Sequence, residues 1–145
     1  MTNIEMLENT LPIAPLKLIA MESCKPLGQK VNDYIVSFRE NTINEVTESP
    51  LYRNYKANNY QVDCSCPRFG SGEAKGVLKE TIRGTDLFIM TDVCNYSLTY
   101  SVGKYTNHMS PDDHFQDLKR IIAAVGGKAR RINVIMPFLY ESRQH

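Results

Sequence analysis

A strongly marked helix stands between two short apolar runs in the last third of this chain. Ser110 suits an N-cap and Pro111 the first helical position, while the glycine pair at 126–127 is a natural C-terminal stop. The run before the helix, 87–91, is continuous and apolar, which is typical of a central strand in a parallel sheet, and the run after it, 132–138, is apolar enough to predict the last strand. Strand, helix and strand in this order, with tight loops between them, predict a right-handed βαβ crossover.

The first part of the chain predicts a second unit of the same kind. Residues 16–21 form a short apolar run that indicates a buried strand. Pro26 and Gly28 mark a loop, and apolar residues then recur at helical spacing from Gln29 to about Glu40. Two such units predict an α/β fold: a mostly parallel sheet flanked by helices in three layers.

The middle of the chain predicts a surface insertion followed by a small β-hairpin. Residues 41–59 are polar and asparagine-rich, so we expect an insertion there, with a short helix around 51–53 as the alternative. Residues 60–64 alternate as a strand does. An extended pattern resumes at 76–82, after the compact loop 67–73.

Length and charge narrow the classes of function. The 145 residues fit one domain, which we place at 16–145 behind an N-terminal extension at 1–15. Seventeen basic and sixteen acidic side chains nearly cancel, so no overall field attracts nucleic acid or an anionic membrane. No apolar run approaches the roughly 20 residues of a membrane span. Because the start also lacks the basic residues of a secretory signal, we expect a cytoplasmic protein.

The cysteines and histidines give no sign of a metal site. Cys64 and Cys66 form a C-x-C pair, but no second pair or histidine cluster completes a zinc set. We expect all the cysteines to be reduced thiols packed as small hydrophobic side chains. The histidines show no metal-ligand spacing, and we expect His114 to lie on the surface. These residues are Cys24, Cys64, Cys66, Cys94, His108, His114 and His145.

The loop R-F-G-S-G-E at 68–73 is the first candidate site. Its two glycines let the backbone turn sharply or approach a ligand. Phe69 offers a flat surface for stacking, Glu73 can accept hydrogen bonds from an exocyclic amine, and Arg68 can direct charge toward a phosphate. Together they suit a purine nucleotide. The alternative is an ordinary hairpin turn with Phe69 packed into the core.

Two further candidates follow predicted strands, where ligands bind in open α/β sheets. Past the last strand, Arg143 can make bidentate contacts to a phosphate, and Gln144 can both donate and accept hydrogen bonds. The alternative there is a solvated tail. Past the central strand, residues 92–97 carry an acidic side chain and small polar groups that suit either a ligand crevice or a simple loop. Neither a P-loop nor a G-x-G-x-x-G motif occurs.

The order of these segments resembles that of the ribose-phosphate pyrophosphokinases, also called phosphoribosyl pyrophosphate synthetases. The loop at 68–73 looks like the family's R-F-x-D-G-E loop. Residues 83–90, with the sequence R-G-T-D-L-F-I-M, are similar to its R-G-x-D-V-F-I-I strand. The helix through 117–124 resembles the helix that follows in the family.

The resemblance continues to the last residues of the chain. Residues 131–140 are similar to the family's V-I-P-x-x-x-Y strand, and Arg143 and Gln144 fall on the Arg-Gln of its Y-x-R-Q motif. The likeness covers 16–145 in colinear order apart from the insertion at 41–59. Any one of these motif matches is weak evidence for the family, but several matches in the same order along the chain are specific.

The resemblance implies a phosphoribosyltransferase-like fold and a pyrophosphoryl transfer. The family's enzymes use ATP, ribose 5-phosphate and Mg2+ to make phosphoribosyl pyrophosphate and AMP, and they assemble as homo-oligomers of chains with two similar halves. By resemblance, Phe69 and Glu73 would hold adenine across a subunit boundary, while Arg143 and Gln144 would contact ATP. No catalytic residue and no metal ligand is assigned in this chain.

Two departures from the family pattern indicate a divergent branch. Ser71 stands where the family usually has an aspartate, and one extra residue separates Tyr140 from Arg143. The family's metal-associated histidine and its mobile loops belong to a second half that these residues do not include. We therefore expect the N-terminal domain of a ribose-phosphate pyrophosphokinase that binds ATP weakly and turns over little alone. Two alternatives stay open: a non-catalytic regulatory relative that assembles with a full-length synthetase, and a generic flavodoxin-like binding module.

Overall fold

A three-stranded parallel sheet lies at the centre of the computed structural model, which describes residues 12–42 and 55–143. The elements are β1 (Leu16–Ala20), a 3-10 turn (Glu22–Cys24), α1 (Lys25–Thr42), β2 (Cys64–Ser65), β3 (Val77–Leu78), β4 (Asp86–Met90), β5 (Thr99–Val102), β6 (Tyr105–His108), α2 (Pro111–Val125) and β7 (Arg131–Ile135). The sheet has the order β1-β4-β7, with both pairs parallel. The strands β2 and β3, and separately β5 and β6, form two small antiparallel hairpins. The predicted α/β fold class is confirmed.

The two helices pack against alternate side chains of the sheet, as the pleat requires. One set of sheet residues is fully buried against α2, and the next set in register packs against α1. The first cluster contains Ile19, Leu87 and Ile89 of the sheet with Leu118, Ile121 and Val125 of α2. The second contains Leu18 and Met90 with Cys24, and Val31 of α1 and Phe88 pack against it. These two clusters make the three-layer architecture.

The predicted bounds of α2 are confirmed by its caps. The Ser110 hydroxyl accepts a hydrogen bond from the Asp113 backbone N–H at 3.1 Å, and the Asp113 carboxylate accepts one from the Ser110 N–H at 2.9 Å. This reciprocal pair is a capping box. At the other end, Gly126 adopts the left-handed conformation with φ 57°, which glycine tolerates best.

The first helix begins earlier than predicted. It starts at Lys25 rather than Gln29, so Pro26 and Gly28 lie in its first turn instead of in a loop. Proline is tolerated there because the first-turn N–H groups have no partner within the helix. A Cβ on Gly28 would lie 2.2 Å from the Cβ of Ala20, so the glycine lets α1 approach β1 closely.

The prediction of tight loops between β4, α2 and β7 is wrong for the first connection. The hairpin β5–β6 lies between β4 and α2, with Thr99 paired to His108 and Val102 paired to Tyr105. Its turn consists of Gly103 and Lys104, and Gly103 has φ 59°. This hairpin packs beside the first candidate site, the loop at 68–73.

The strand predicted at 60–64 forms only in part: β2 holds Cys64 and Ser65, while residues 60–62 lie beside β1 through a single parallel bridge. The Leu18 N–H donates to the Tyr60 carbonyl and the Val62 N–H donates to the Leu18 carbonyl, each at 2.8 Å. Tyr60 is buried, and its N–H donates to the side-chain oxygen of Asn32 in α1 at 2.8 Å. Residues 1–11, the short helix predicted around 51–53 and most of the predicted insertion lie outside the described residues.

A polar cluster fixes the register of β7 against β4. Asp86 is 8% exposed and accepts two hydrogen bonds from the Arg131 guanidinium, at 2.8 and 2.6 Å. The Asn133 amide donates a third at 2.9 Å. Bidentate arginine–carboxylate pairs are geometrically specific. The last strand is therefore held at one register, which fixes where the residues after it begin.

Candidate functional site

The loop at 68–73 is a tight turn between β2 and β3 that closes on its own backbone. The Phe69 N–H donates to the Glu73 carbonyl at 2.7 Å, and the Gly72 N–H donates to the Phe69 carbonyl at 2.9 Å. A β-bridge joins Arg68 to Ala74 below the turn. Gly72 has φ 89°, a conformation that other residues rarely adopt. The loop is therefore the closed tip of a β-hairpin. The small hairpin in the predicted fold is confirmed.

The tip presents the two side chains that sequence reasoning singled out. Phe69 is 53% exposed, so the alternative that placed its ring in the core is wrong. Glu73 is exposed, and the Ser71 hydroxyl donates to its Oε2 at 3.0 Å. Ser71, which replaces the family's usual aspartate, therefore orients the acidic side chain. An exposed ring beside a carboxylate on one rigid turn can stack on a heterocycle and accept from its amine.

Arg68 is paired within the domain, which departs from the expectation that it directs its charge toward a phosphate. Its side chain is only 10% exposed and its Nη2 lies 3.0 Å from Oδ2 of Asp117 in α2. The guanidinium also lies over the ring of Tyr100 in β5, 4.6 Å from its centroid. Asp117 is held from its other side by Arg120 at 2.6 Å. Arg68 therefore anchors the loop to the rest of the domain.

Arg143 lines a groove at the carboxyl ends of β4 and β7. The groove has a volume of about 380 Å³ and lies between the loop after β4, the start of α2 and the segment after β7. Arg143 is exposed at its rim, and Gln144 lies outside the described residues. The groove is lined by Val93, Cys94, Pro111, Asp112, Phe138 and residues 140–143. Its position matches the place where open α/β sheets bind ligands.

Tyr140 attaches this segment to α2, and sequence reasoning missed its partners. Its hydroxyl donates to Oδ1 of Asp112 at 2.5 Å, and its ring stacks on Phe115 at a centroid distance of 4.2 Å. The hydrogen bond to the Asp112 carboxylate raises the pKa of Tyr140 to about 12. The sequence signal for this contact was that residues 115 and 140 are both aromatic, but they come into contact only in the folded chain.

The residues at 92–97 support their own loop, and two of them, Val93 and Cys94, also line the groove. Asp92 accepts from the Cys94 N–H at 2.9 Å, and Asn95 accepts from the Ser97 N–H at 3.1 Å and from its hydroxyl at 2.6 Å. Such contacts are Asx turns. The Asn95 carbonyl in turn is 2.8 Å from Nε2 of His114. His114 is 3% exposed, so the prediction of a surface histidine is wrong.

The cysteines are free thiols, and three of them pack against the core as predicted. Burial raises the pKa of Cys64 to about 11 and that of Cys66 to about 12, which makes both poor nucleophiles. Cys94 is exposed, which departs from the expectation that every cysteine is packed.

The candidate residues form two separate groups. Phe69 and Glu73 lie together on the loop 68–73, whereas Arg143 lies in the groove beside α2. Among the described residues, no hydrogen bond, ion pair or ring contact joins the loop to the segment 138–143. None of the described helices is long and apolar enough to span a bilayer.

A parallel sheet between helices, with a groove at the carboxyl ends of its strands, is the architecture of an open α/β domain and agrees with the phosphoribosyltransferase-like type. The family model for the N-terminal domain of ribose phosphate pyrophosphokinase matches residues 16–145. The chain therefore belongs to the ribose phosphate pyrophosphokinase family of nucleotide biosynthesis. A search of curated proteins found no match.

Proposed function

We propose that this domain supplies nucleotide contacts and an oligomer surface to a ribose-phosphate pyrophosphokinase. Phe69 and Glu73 would bind the adenine of ATP, and Arg143, with Gln144, would bind its phosphates. The exposed ring of Phe69 on a closed, anchored turn carries the proposal, since a large apolar side chain 53% exposed on a rigid loop is available for stacking. The complete enzyme would use ribose 5-phosphate as the acceptor, in the cytoplasm.

The two groups would act together across a boundary between chains. Among residues 12–42 and 55–143 of one chain, no hydrogen bond, ion pair or ring contact joins the loop to the groove, and the family resemblance gives the adenine loop to a neighbouring subunit. We therefore propose a homo-oligomer in which Phe69 of one copy faces Arg143 of another. In a two-fold symmetric dimer, the commonest assembly, each copy would place its Phe69 against the Arg143 of the other, because the contacts of such an interface are reciprocal.

Magnesium would come with the nucleotide. Among residues 12–42 and 55–143, no three histidine, cysteine or carboxylate side chains lie close enough together to hold a metal ion. The ion would be held chiefly by the phosphates of the nucleotide, since Mg2+ in such sites takes only one or two carboxylates from the protein. The residues of this domain would bind the base and place positive charge near the phosphates.

Calorimetric titration with MgATP tests the adenine contact. Aromatic stacking on a base is worth about 1–3 kcal/mol, so Phe69→Ala is expected to weaken ATP binding by roughly 5- to 150-fold. Tyr105→Ala is the matched control, because Tyr105 is 78% exposed on the other hairpin. Equal affinities for the wild type and Phe69→Ala would contradict the adenine contact.

Mixing two variants that bind ATP weakly tests the shared site, with ATP-binding capacity as the measured quantity. In a random mixture of Phe69→Ala and Arg143→Ala chains, a dimer with sites across its boundary would recover about a quarter of the wild-type capacity. Sites that lie within one chain would recover nothing. Ultracentrifugation of the same mixture establishes that the copies associate, and a monomer under all conditions would contradict the oligomeric part of the proposal.

A further inference from the structure

The hairpin β5–β6 packs directly against the candidate adenine loop. The Tyr100 ring lies over the guanidinium of Arg68 at 4.6 Å. At the other end of the loop, Cγ2 of Val102 would lie 3.5 Å from a Cβ on Gly72. These two contacts bracket Phe69, which lies between Arg68 and Gly72 in the sequence. The hairpin therefore supports the loop at the residues on either side of the exposed ring.

The Arg68 guanidinium is enclosed between two elements rather than held by one. Asp117 of α2 accepts its hydrogen bond, and Tyr100 covers its face. The side chains of Arg68 and Asp117 are 10% and 9% exposed, so the ion pair is shielded from solvent. A cation is attracted to the face of an aromatic ring, more strongly where water is excluded. Tyr100 therefore helps to keep Arg68, and with it the backbone of Phe69, in one place.

The hairpin is itself fixed to α2, so Tyr100 is a firm support. The Met109 N–H donates to the Leu98 carbonyl at 2.8 Å, and Met109 is buried at the foot of the hairpin. His114 in α2 is hydrogen-bonded to the carbonyl of Asn95 just before β5, at 2.8 Å. On the outer side of the hairpin, the rings of Tyr96 and His108 stack with their centroids 4.5 Å apart.

We infer that Tyr100 is a positioning residue for adenine recognition, acting through Arg68 on the Phe69 turn. This inference rests on the proposed function of Phe69 and adds the element that sets the direction of its ring. Tyr100 does not touch the nucleotide; it holds the turn in the conformation in which Phe69 stacks on the base. Tyr100 then supports the nucleotide site from β5 and determines how strongly the base contributes to binding, whereas the exposed tip of the hairpin takes no part.

Nucleotide titrations separate the base from the phosphates. Tyr100→Leu is expected to weaken MgATP binding about tenfold, while binding of inorganic tripolyphosphate, which has no base, stays at the wild-type value. Tyr100→Phe keeps the aromatic face and is expected to restore ATP affinity. Tyr105→Leu, at the exposed end of the same hairpin, is expected to bind both probes like the wild type. A purely structural defect would weaken both probes together.

Amide hydrogen exchange tests the inference without any ligand. The Phe69 and Gly72 amides donate within the turn, so Tyr100→Leu is expected to speed their exchange about tenfold while the amides of β4 keep their rates. Unchanged exchange at 69 and 72 in a folded Tyr100→Leu chain would overturn the inference, as would equal losses in ATP and tripolyphosphate binding. If the wild type binds no ATP but the exchange rates respond, the proposed function fails and the support role of Tyr100 stands.

Discussion

The loop at 68–73 and the segment at 138–143 both carry candidate nucleotide contacts, yet they are held in different ways. The loop closes on itself and is anchored by a shielded ion pair between Arg68 and Asp117. The segment exposes Phe138 and Leu139, at 42% and 62%, and is attached chiefly through Tyr140. A preformed turn favours binding because it has little freedom left to lose, whereas the segment has more to order.

The largest effect is expected from removing the anchor of the loop. Asp117→Ala leaves Arg68 and Arg120 without their partner, and breaking a buried pair in this way costs about 3 kcal/mol or more in the free energy of unfolding. Urea denaturation measures the loss. Asp63→Ala, which breaks the exposed pair with Lys79, is the control and is expected to change stability by less than about 1 kcal/mol. Similar losses in both variants would remove the distinction between the two regions.

A smaller global effect is expected at the stem of the loop. A Cβ on Gly76 would lie 2.3 Å from the Arg120 carbonyl oxygen, so Gly76→Ala forces β3 and α2 apart. We expect a loss of about 1–3 kcal/mol in denaturation. Gly70→Ala is the matched control, because a Cβ there would have no neighbour within 4 Å. If both variants were equally stable, the close approach of stem and helix would be wrong.

The cap of α2 is expected to matter less, although this helix borders both regions. Ser110→Ala removes the hydroxyl that accepts from the Asp113 N–H and is expected to cost about 1 kcal/mol. Ser110→Asn, which can also cap, is expected to recover most of the loss. A cost near zero for the alanine variant, measured by thermal unfolding, would show that the carboxylate of Asp113 alone suffices.

The smallest and most local effect is expected in the segment at 138–143. The Asp112 hydrogen bond raises the pKa of Tyr140 from 10.0 to about 12, so the neutral tyrosine is favoured in the folded chain. The stabilisation is therefore fully present below pH 10 and is lost as the pH rises toward 12. In absorbance titrations, Asp112→Asn is expected to bring one tyrosine back toward its ordinary pKa. Asp63→Asn should leave the titration curve unchanged, and an identical curve for Asp112→Asn would contradict the contact.

The elements that sequence analysis predicted well are those specified by neighbouring residues. Ser110 and Gly126 cap α2 through contacts within a few residues, and the strands at β1, β4 and β7 are apolar runs. The family resemblance likewise rested on short motifs that lie on those elements. Local chemistry of this kind is visible in the sequence because both partners lie close together in it.

The features that escaped prediction depend on partners far away in the chain. Gly28 looks like a loop residue until Ala20 packs against it, and Arg68 looks like a ligand contact until Asp117, 49 residues away, accepts from it. The hairpin β5–β6 did offer a signal: residues 99–108 are rich in β-branched and aromatic residues, with a two-residue turn at Gly103. The hairpin was missed because its many polar side chains are also typical of a loop.

The position of β7 has a consequence for how the sheet opens. Within the described residues β7 pairs only with β4, whereas β4 is bonded on both sides and buried. Alternate amides of an edge strand point away from its neighbour. Solvent deuterium should therefore enter β7 before β4, while the hydrogen bonds from the Arg131 guanidinium to Asp86 slow the opening at the start of β7.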